Sequence, residues 1–372
     1  MNTKRPFGQF PGGSRLGNEE ASAASAVVLA KSPFRYYGPG MLYACERAER
    51  HLSELLEGRH SLVVSSGTAA LHSLLAALGV KPGDEVVIPA YAWVSDLMAI
   101  LALGAMPVIA PVDETLSLDP NRLRECLTSR TRAVVAVHMR GRPADMGELS
   151  RVCSNFGIAL VEDAAQCLGG SIGGRPTGSF GDGAILSFQL NKMVTSGEGG
   201  AVLTGDEALA GAVREYHNCG LKRIGATSEN TVSGRIEGIG LNYRMSELQA
   251  AVLVEQLGKL DEIVAGLGQN IAAARSVLAE RVPGFRELPN TAEALPNGAF
   301  LCFTADGEVR DVCKALRQVG IPAEWCGAED PHHYASWVEM MTRRAIPFRL
   351  HGSDQSSSVL ARSAFVEIAS QV

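Results

Sequence analysis

A chain of 372 residues with 46% hydrophobic and 20% charged side chains is long enough for two or three lobes of about 150 residues each, and is neither disordered nor fibrous. Its 34 basic and 40 acidic residues leave a net charge of -6, which excludes a general field for nucleic acid or anionic lipid, so any anion site must be local. Eight cysteines, none at CxxC spacing, exclude zinc-finger and thioredoxin readings and suggest reduced core residues of a cytosolic protein.

Residues 1–14 are polar, contain proline and glycine, and lack the apolar centre of a secretory signal. No apolar stretch reaches the roughly 18 residues of a membrane span. A cytoplasmic protein without a membrane partner is expected.

Apolar and charged residues recur at helical spacing over 42–56, and the apolar run 61–64 ends in Ser65-Ser66-Gly67-Thr68, a strand, turn and helix. A helix over 69–78 closes at Gly79, and Pro82-Gly83-Asp84 turns the chain into an apolar strand over 85–88. Helices over 94–103, 120–127 and 150–156 then alternate with strands over 107–112, 133–137 and 158–162. The last of these is continuously apolar, as a sheet covered on both faces requires. Further strands are expected at 184–188 and 200–203. Crossover helices imply parallel pairing, so this part is an α/β layer structure. Beyond Leu209 the pattern changes to helices over 246–265 and 270–278. A strand over 299–304, a helix over 308–319 and an unassigned stretch follow.

Several residues fall at positions suited to one chemistry. Lys192 lies in Ser187-Phe188-Gln189-Leu190-Asn191-Lys192 and is followed by Gly197-Glu198-Gly199-Gly200, where a strand end meets a glycine-rich turn. Burial there would depress its pKa and free the amine to attack a carbonyl; taken alone, it also reads as a surface lysine. Asp163 follows the strand over 158–162, at the carboxyl end where open α/β sheets hold ligands. Its bland reading is a helix cap or turn residue, and that of Gln166 a polar turn residue. Ser66-Gly67-Thr68-Ala69 begins a helix whose first amides and dipole favour an anion, although capping by Thr68 alone would explain the triplet. Ser187 offers a second hydroxyl. Trp93, just past the strand over 85–88, is placed either to stack on a planar ring or to fill the core.

An amine, a carboxylate, anion donors and a flat side chain are the four demands of pyridoxal phosphate. Asp163 would keep the pyridine nitrogen protonated, and Gln166 would meet the ring hydroxyl. No glycine fingerprint follows the first strand, which argues against an NAD-dependent oxidoreductase. The run Gly169-Gly170-Ser171-Ile172-Gly173-Gly174 is not GxGxxG and reads as a turn between strands. His332 and His333 are adjacent, so they cannot serve one metal as an i, i+4 pair; they read as a solvated turn, and no metal site is expected.

Ser66-Gly67-Thr68-Ala69-Ala70-Leu71, Gly83-Asp84-Glu85-Val86 with Ile88-Pro89, Glu162-Asp163-Ala164-Ala165-Gln166, Gly178-Ser179-Phe180-Gly181-Asp182, Lys192 and Gly240-Leu241-Asn242-Tyr243-Arg244-Met245 together resemble the DegT/DnrJ/EryC1/StrS sugar aminotransferases. The resemblance runs over about residues 34–260. It implies the α/β architecture of PLP-dependent transferase fold type I, with a large, mostly parallel mixed sheet. It also implies a homodimer with active sites at the subunit interface, glutamate or glutamine as amino donor, and a keto sugar as acceptor. The family pattern makes Lys192 the lysine joined to the coenzyme and the proton shuttle, and Asp163 the pyridinium partner. Gln166 falls on the ring-hydroxyl position, Ser66, Gly67, Thr68, Ala69 and Ser187 on the phosphate cradle, and Trp93 on the stacking position. Asn242, with Arg244 nearby, would reach the phosphate of the neighbouring subunit. Relatives with histidine in place of the lysine are dehydratases, so Lys192 argues for transfer.

Phe34-Arg35-Tyr36-Tyr37-Gly38-Pro39 and Val137-His138-Met139-Arg140-Gly141 are similar to the branch that aminates 8-keto-3-deoxyoctulosonate, a branch that includes enzymes for other sugars or cyclitols. Arg35, Tyr36, His138 and Arg140 are therefore candidate substrate residues, with surface charge the bland reading of both arginines. The resemblance implies an N-terminal arm at 1–33, a large PLP-binding domain at 34–245 and a smaller α+β domain at 246–372. Relatives carry a further helix after a segment like 364–368, so closure of the smaller lobe is in doubt. A coenzyme-binding regulatory protein without turnover remains the alternative from another class.

Overall fold

The computed structural model describes residues 6–223, 232–236 and 238–371. Helix α1 (Asn18–Leu29) precedes α2 (Ala44–Leu55), which buries Ala44, Cys45, Ala48 and Leu52 along one face, the spacing of an amphipathic helix. Strand β1 (His60–Val64) leads into α3 (Gly67–Ala77), β2 (Glu85–Pro89) into α4 (Val94–Ala102), and β3 (Met106–Ala110), β4 (Thr131–Val137) and β5 (Ala159–Asp163) follow with intervening helices. Every residue of β2 is buried, as the continuous apolar run requires between two helical layers.

These strands join an eight-stranded sheet in the order β1, Gly200–Thr204, Gly183–Ser187, β5, β4, β2, β3 and Arg349–Leu350. Gly200–Thr204 runs antiparallel to both neighbours, and the remaining pairs are parallel. The loops after β1, β2, β4, β5 and Gly183–Ser187 therefore leave from one edge of the sheet. Val64 and Ser187 both register with Gly200, and Val137 registers with Asp163, so the chain segments singled out by sequence emerge side by side.

A second, antiparallel sheet has the order Arg286–Glu287, Phe300–Thr304, Ala364–Glu367, Ala323–Trp325. The segment left unassigned in the sequence thus contributes an inner strand. Arg349–Leu350 returns to the large sheet beside β3, a connection that a division at 245/246 does not provide for.

Two helices replace the expected pair over 246–265 and 270–278, and the break lies elsewhere: they span Glu247–Leu257 and Leu260–Arg281. Ser246 and Gln249 form a capping box at the first start, and Gly258 ends that helix. Gly266 and Gly268 do not end the second, because Gly266 makes a notch: a Cβ there would lie 2.2 Å from the Ser370 carbonyl oxygen. Arg15 and Asn270 donate to the carbonyls of Ser370 and Ala369, which fastens the residues after Ala364–Glu367 to the N-terminal segment and to the helix Leu260–Arg281. Gly173 and Gly174 turn a hairpin between Ser171–Ile172 and Arg175–Pro176, both at positive φ, as the sequence suggests. All eight cysteines are free, and only Cys219 is exposed. No helix among the described residues is long and apolar enough to cross a membrane.

Candidate active site

The loops leaving that sheet edge enclose a cavity of about 430 Å³, within the range of small-molecule sites. Ser66, Gly67, Thr68, Trp93, Arg140, Asp163, Gln166, Ser187 and Lys192 all line it. Residues from five different strand ends thus converge on one space, which none of their local motifs could establish alone.

Helix α3 begins at the cavity. Its cap is Ser66, whose Oγ accepts from the Ala69 amide at 3.0 Å. The sequence offers Thr68 for that task. Ala69 is buried and its amide is engaged by the cap, whereas among the described residues no acceptor meets the amides of Gly67 and Thr68. Two free donors at a positive helix end can together hold an anion. A Cβ at Gly67 would stand 2.9 Å from the Ser187 Cβ and 3.2 Å from its Oγ, so only glycine lets the amide and the hydroxyl face the same space.

Lys192 reaches the cavity from a loop closed by Phe188 N–H to Gly199 O and Ser196 N–H to Phe188 O. Burial lowers its pKa, partly opposed by the nearby Asp163 carboxylate. Burial conversely raises that of Asp163, opposed by the Ala165 amide, which donates to Oδ1 at 2.8 Å, and by Lys192. An amine that deprotonates readily beside a carboxylate at the end of a parallel strand is a pairing for carbonyl and proton chemistry.

Gln166 has one orientation. Its Oε1 accepts from the Arg140 amide at 3.0 Å, which leaves its NH₂ to donate. Trp93 is 44% exposed and lines the cavity, so the core reading is set aside. The residues present fit pyridoxal phosphate: two unpartnered amides and a hydroxyl for the phosphate, a donor for the ring hydroxyl, a carboxylate for the ring nitrogen, a flat face and an amine.

The structure does not bring every candidate together. Arg35 is buried away from the cavity, where its guanidinium donates to Val63 O and Glu49 and ties α2 to β1. The Tyr36 hydroxyl meets His217 Nε2 at 3.0 Å, also outside the cavity lining. His138 is fully buried. Its Nδ1 accepts from the Ala144 amide, so Nε2 carries the proton and donates to Glu162 at 3.0 Å. Glu162 also accepts the amides of Gly178, Phe180 and Gly181. Burial alone would raise the Glu162 carboxyl, but these bonds outweigh it and hold it below the usual carboxylate range. The cluster clamps the backbone next to Asp163, whose carbonyl accepts the His138 amide. Its function is positioning, which corrects the expectation of substrate contact for His138.

Arg140 does reach the wall, with its guanidinium 3.7 Å from the Phe365 ring centroid. Its Nη2 already donates to the Tyr91 hydroxyl at 3.0 Å and pairs with Asp330 at 3.3 Å. Asn242 is exposed and lies outside the cavity lining; Arg244 donates to Asn218 Oδ1 at 2.9 Å.

Several wall residues escape the sequence reading. His332, expected in a solvated turn, is a cavity residue whose Nδ1 is 2.6 Å from Asp330 Oδ1 and whose ring lies 4.9 Å from Trp93. Its neighbour His333 is buried and caps the helix Tyr334–Arg343 by accepting from the Ala335 amide. The Asp330 spacing is a usable signal, since an aspartate two residues before a histidine can orient it. Gly8, Pro11 and Glu367 also line the cavity; they arrive through the Phe7 to Ile368 bridge, for which the local sequence holds no cue.

The sequence model of the DegT/DnrJ/EryC1/StrS aminotransferase family matches residues 43–333. The chain belongs to this family. Among its relatives, GDP-perosamine synthase of Vibrio cholerae is 33% identical over 259 residues, 68% of this chain and 66% of that protein. L-glutamine:2-deoxy-scyllo-inosose aminotransferase of Streptomyces kanamyceticus is 37% identical over 244 residues, 64% of this chain and 57% of that protein. The chain thus spans between 57% and 66% of these relatives' lengths. DesV of S. venezuelae, solved in complex with a ketimine intermediate, superposes with a TM-score of 0.79 at 30% identity, covering 95% of this chain and 89% of that one. The architecture is PLP-dependent transferase fold type I, as family members share it.

Proposed function

We propose that this protein is a PLP-dependent aminotransferase that moves an amino group from glutamate or glutamine to a keto sugar. The observation that carries the reading is the convergence of the Lys192 amine, the Asp163 carboxylate and the open amides of Gly67 and Thr68 on one cavity. Membership of the family supports it, and the named activities of the two relatives point to sugar or cyclitol acceptors.

Bound there, the coenzyme supplies an electron sink for charge developing at the donor's α carbon. The amides of Gly67 and Thr68 and the Ser187 hydroxyl would hold its phosphate, and the Gln166 NH₂ would meet its ring hydroxyl. Trp93 covers one ring face and excludes water. The Lys192 amine, kept readily neutral by burial, takes a proton from the donor α carbon and later returns one to the acceptor carbon. In a homodimer, Asn242 and Arg244 are the groups offered to the partner subunit's phosphate. The acceptor class includes 8-keto-3-deoxyoctulosonate and nucleotide-linked keto sugars, with cyclitol ketones as the alternative.

The test is spectroscopic. Purified protein incubated with pyridoxal phosphate should gain a visible absorption band, lose it on addition of glutamate or glutamine, and regain it with the correct keto sugar. A band that no donor discharges would favour a binding protein without turnover. Gly67→Val should weaken coenzyme affinity by about tenfold or more, since each charge-assisted hydrogen bond contributes about 1.5–3 kcal/mol. Absorbance titration measures this, and an unchanged affinity would remove the cradle from α3.

A further inference from the structure

Asp96 stands in the first turn of α4, 1% exposed. Among the described residues, neither of its carboxyl oxygens has a hydrogen-bond partner; the adjacent Ser95 hydroxyl lies close but outside hydrogen-bond geometry. An ionised carboxylate in that position loses its hydration without compensation, whereas a protonated one loses little. The group it faces is the equally buried carboxyl of Asp163. Two buried carboxyls that face each other resist ionising together, and a single shared proton turns their repulsion into a hydrogen bond.

The surroundings decide which of them keeps the proton. Asp163 has the Ala165 amide on Oδ1, and Lys192 on its side of the pair. Both favour its anion, and Asp96 has no such amide. Lys192 is the other charged group that acts on Asp96, while Arg140 and Glu198 act on Lys192 itself. Burial and the facing Asp163 charge both push the Asp96 carboxyl well above its usual range.

We propose that Asp96 is a positioning residue that stays protonated at neutral pH and donates a hydrogen bond to the Asp163 carboxylate, keeping it ionised and aimed at the coenzyme's ring nitrogen. A buried carboxylate without that donor is basic enough to draw the proton off a pyridinium, which would collapse the ion pair that makes the ring an electron sink. With the donor present the proton stays on the ring. The inference rests on the pocket holding pyridoxal phosphate.

Asp96→Asn mimics the protonated acid and retains a donor, while Asp96→Leu keeps the volume and removes it. Infrared difference spectra of ligand-free wild type against Asp96→Asn at neutral pH should show loss of one protonated-carboxyl C=O stretch. Loss of a carboxylate band instead would overturn the proposal. With ring-¹⁵N-labelled pyridoxal phosphate bound, the nitrogen shift should report a pyridinium in wild type and Asp96→Asn but a neutral pyridine in Asp96→Leu. Coenzyme dissociation should rise about tenfold or more in Asp96→Leu alone. Equal behaviour of the two variants, or a wild-type nitrogen signal in Asp96→Leu, contradicts it, provided circular dichroism shows both folded. If wild type binds no coenzyme, the functional reading fails, and the infrared band still shows whether Asp96 holds the proton.

Discussion

Lys192→Ala should reduce turnover by about 10⁴-fold or more and abolish the visible band formed with pyridoxal phosphate. The amine has two tasks in the proposed reaction, covalent capture of the coenzyme aldehyde and movement of the donor's α proton, and general acid–base catalysis alone is worth about 10²–10⁴-fold. No other amine lines the cavity among the described residues. Substrate-dependent formation of the 2-oxo acid, measured on coenzyme-saturated protein, checks this. A variant retaining more than about a tenth of wild-type turnover would place the proton transfer on another group. Phosphate contacts remain in this variant, so the coenzyme should still bind, weakly and without the covalent spectrum.

Glu162→Ala should destabilise the fold by about 3–5 kcal/mol, the usual loss when one member of a buried charged network is removed. It would leave His138 and the amides of Gly178, Phe180 and Gly181 without their acceptor. Urea unfolding measures the loss, and a change below about 1 kcal/mol would contradict the assignment. The pH dependence has a definite sign. The folded-state pKa of Glu162 is lowered, so its stabilisation is complete above the unfolded carboxylate value of about 4.3 and declines as pH falls through the folded value. Glu162→Ala should therefore flatten the acid limb of the stability profile.

Much of the catalytic side is legible because sheet topology converts sequence position into spatial position. Asp163, Ser66, Ser187 and Lys192 each lie at or after the end of a strand that reaches one edge, and parallel strands must put those ends together. Glu162 is visible only as a motif letter, since its partners are the amides of a distant turn. Arg35 and His138 mislead for the opposite reason: their sequence neighbours suggest a ligand-facing loop, while burial commits both side chains to internal partners. The helix break at Gly258 and Lys259 is hard to place because Gly266 and Gly268 look like stops. Only the folded chain reveals the Ser370 backbone that Gly266 accommodates. His332 hides behind its neighbour, because adjacent histidines invite judgement as a pair, yet the two have different tasks.

The base of the Lys192 loop is stapled by the pairing of Ser187 with Gly200, whereas Phe300, His332 and Glu367 come to the cavity from chain segments outside that sheet edge. A combinatorial library confined to those three positions would therefore reshape the space around a bound compound without shifting the register of the reactive amine. One-residue insertions between 188 and 199 would do the reverse, leaving the walls intact while displacing the reactive nitrogen.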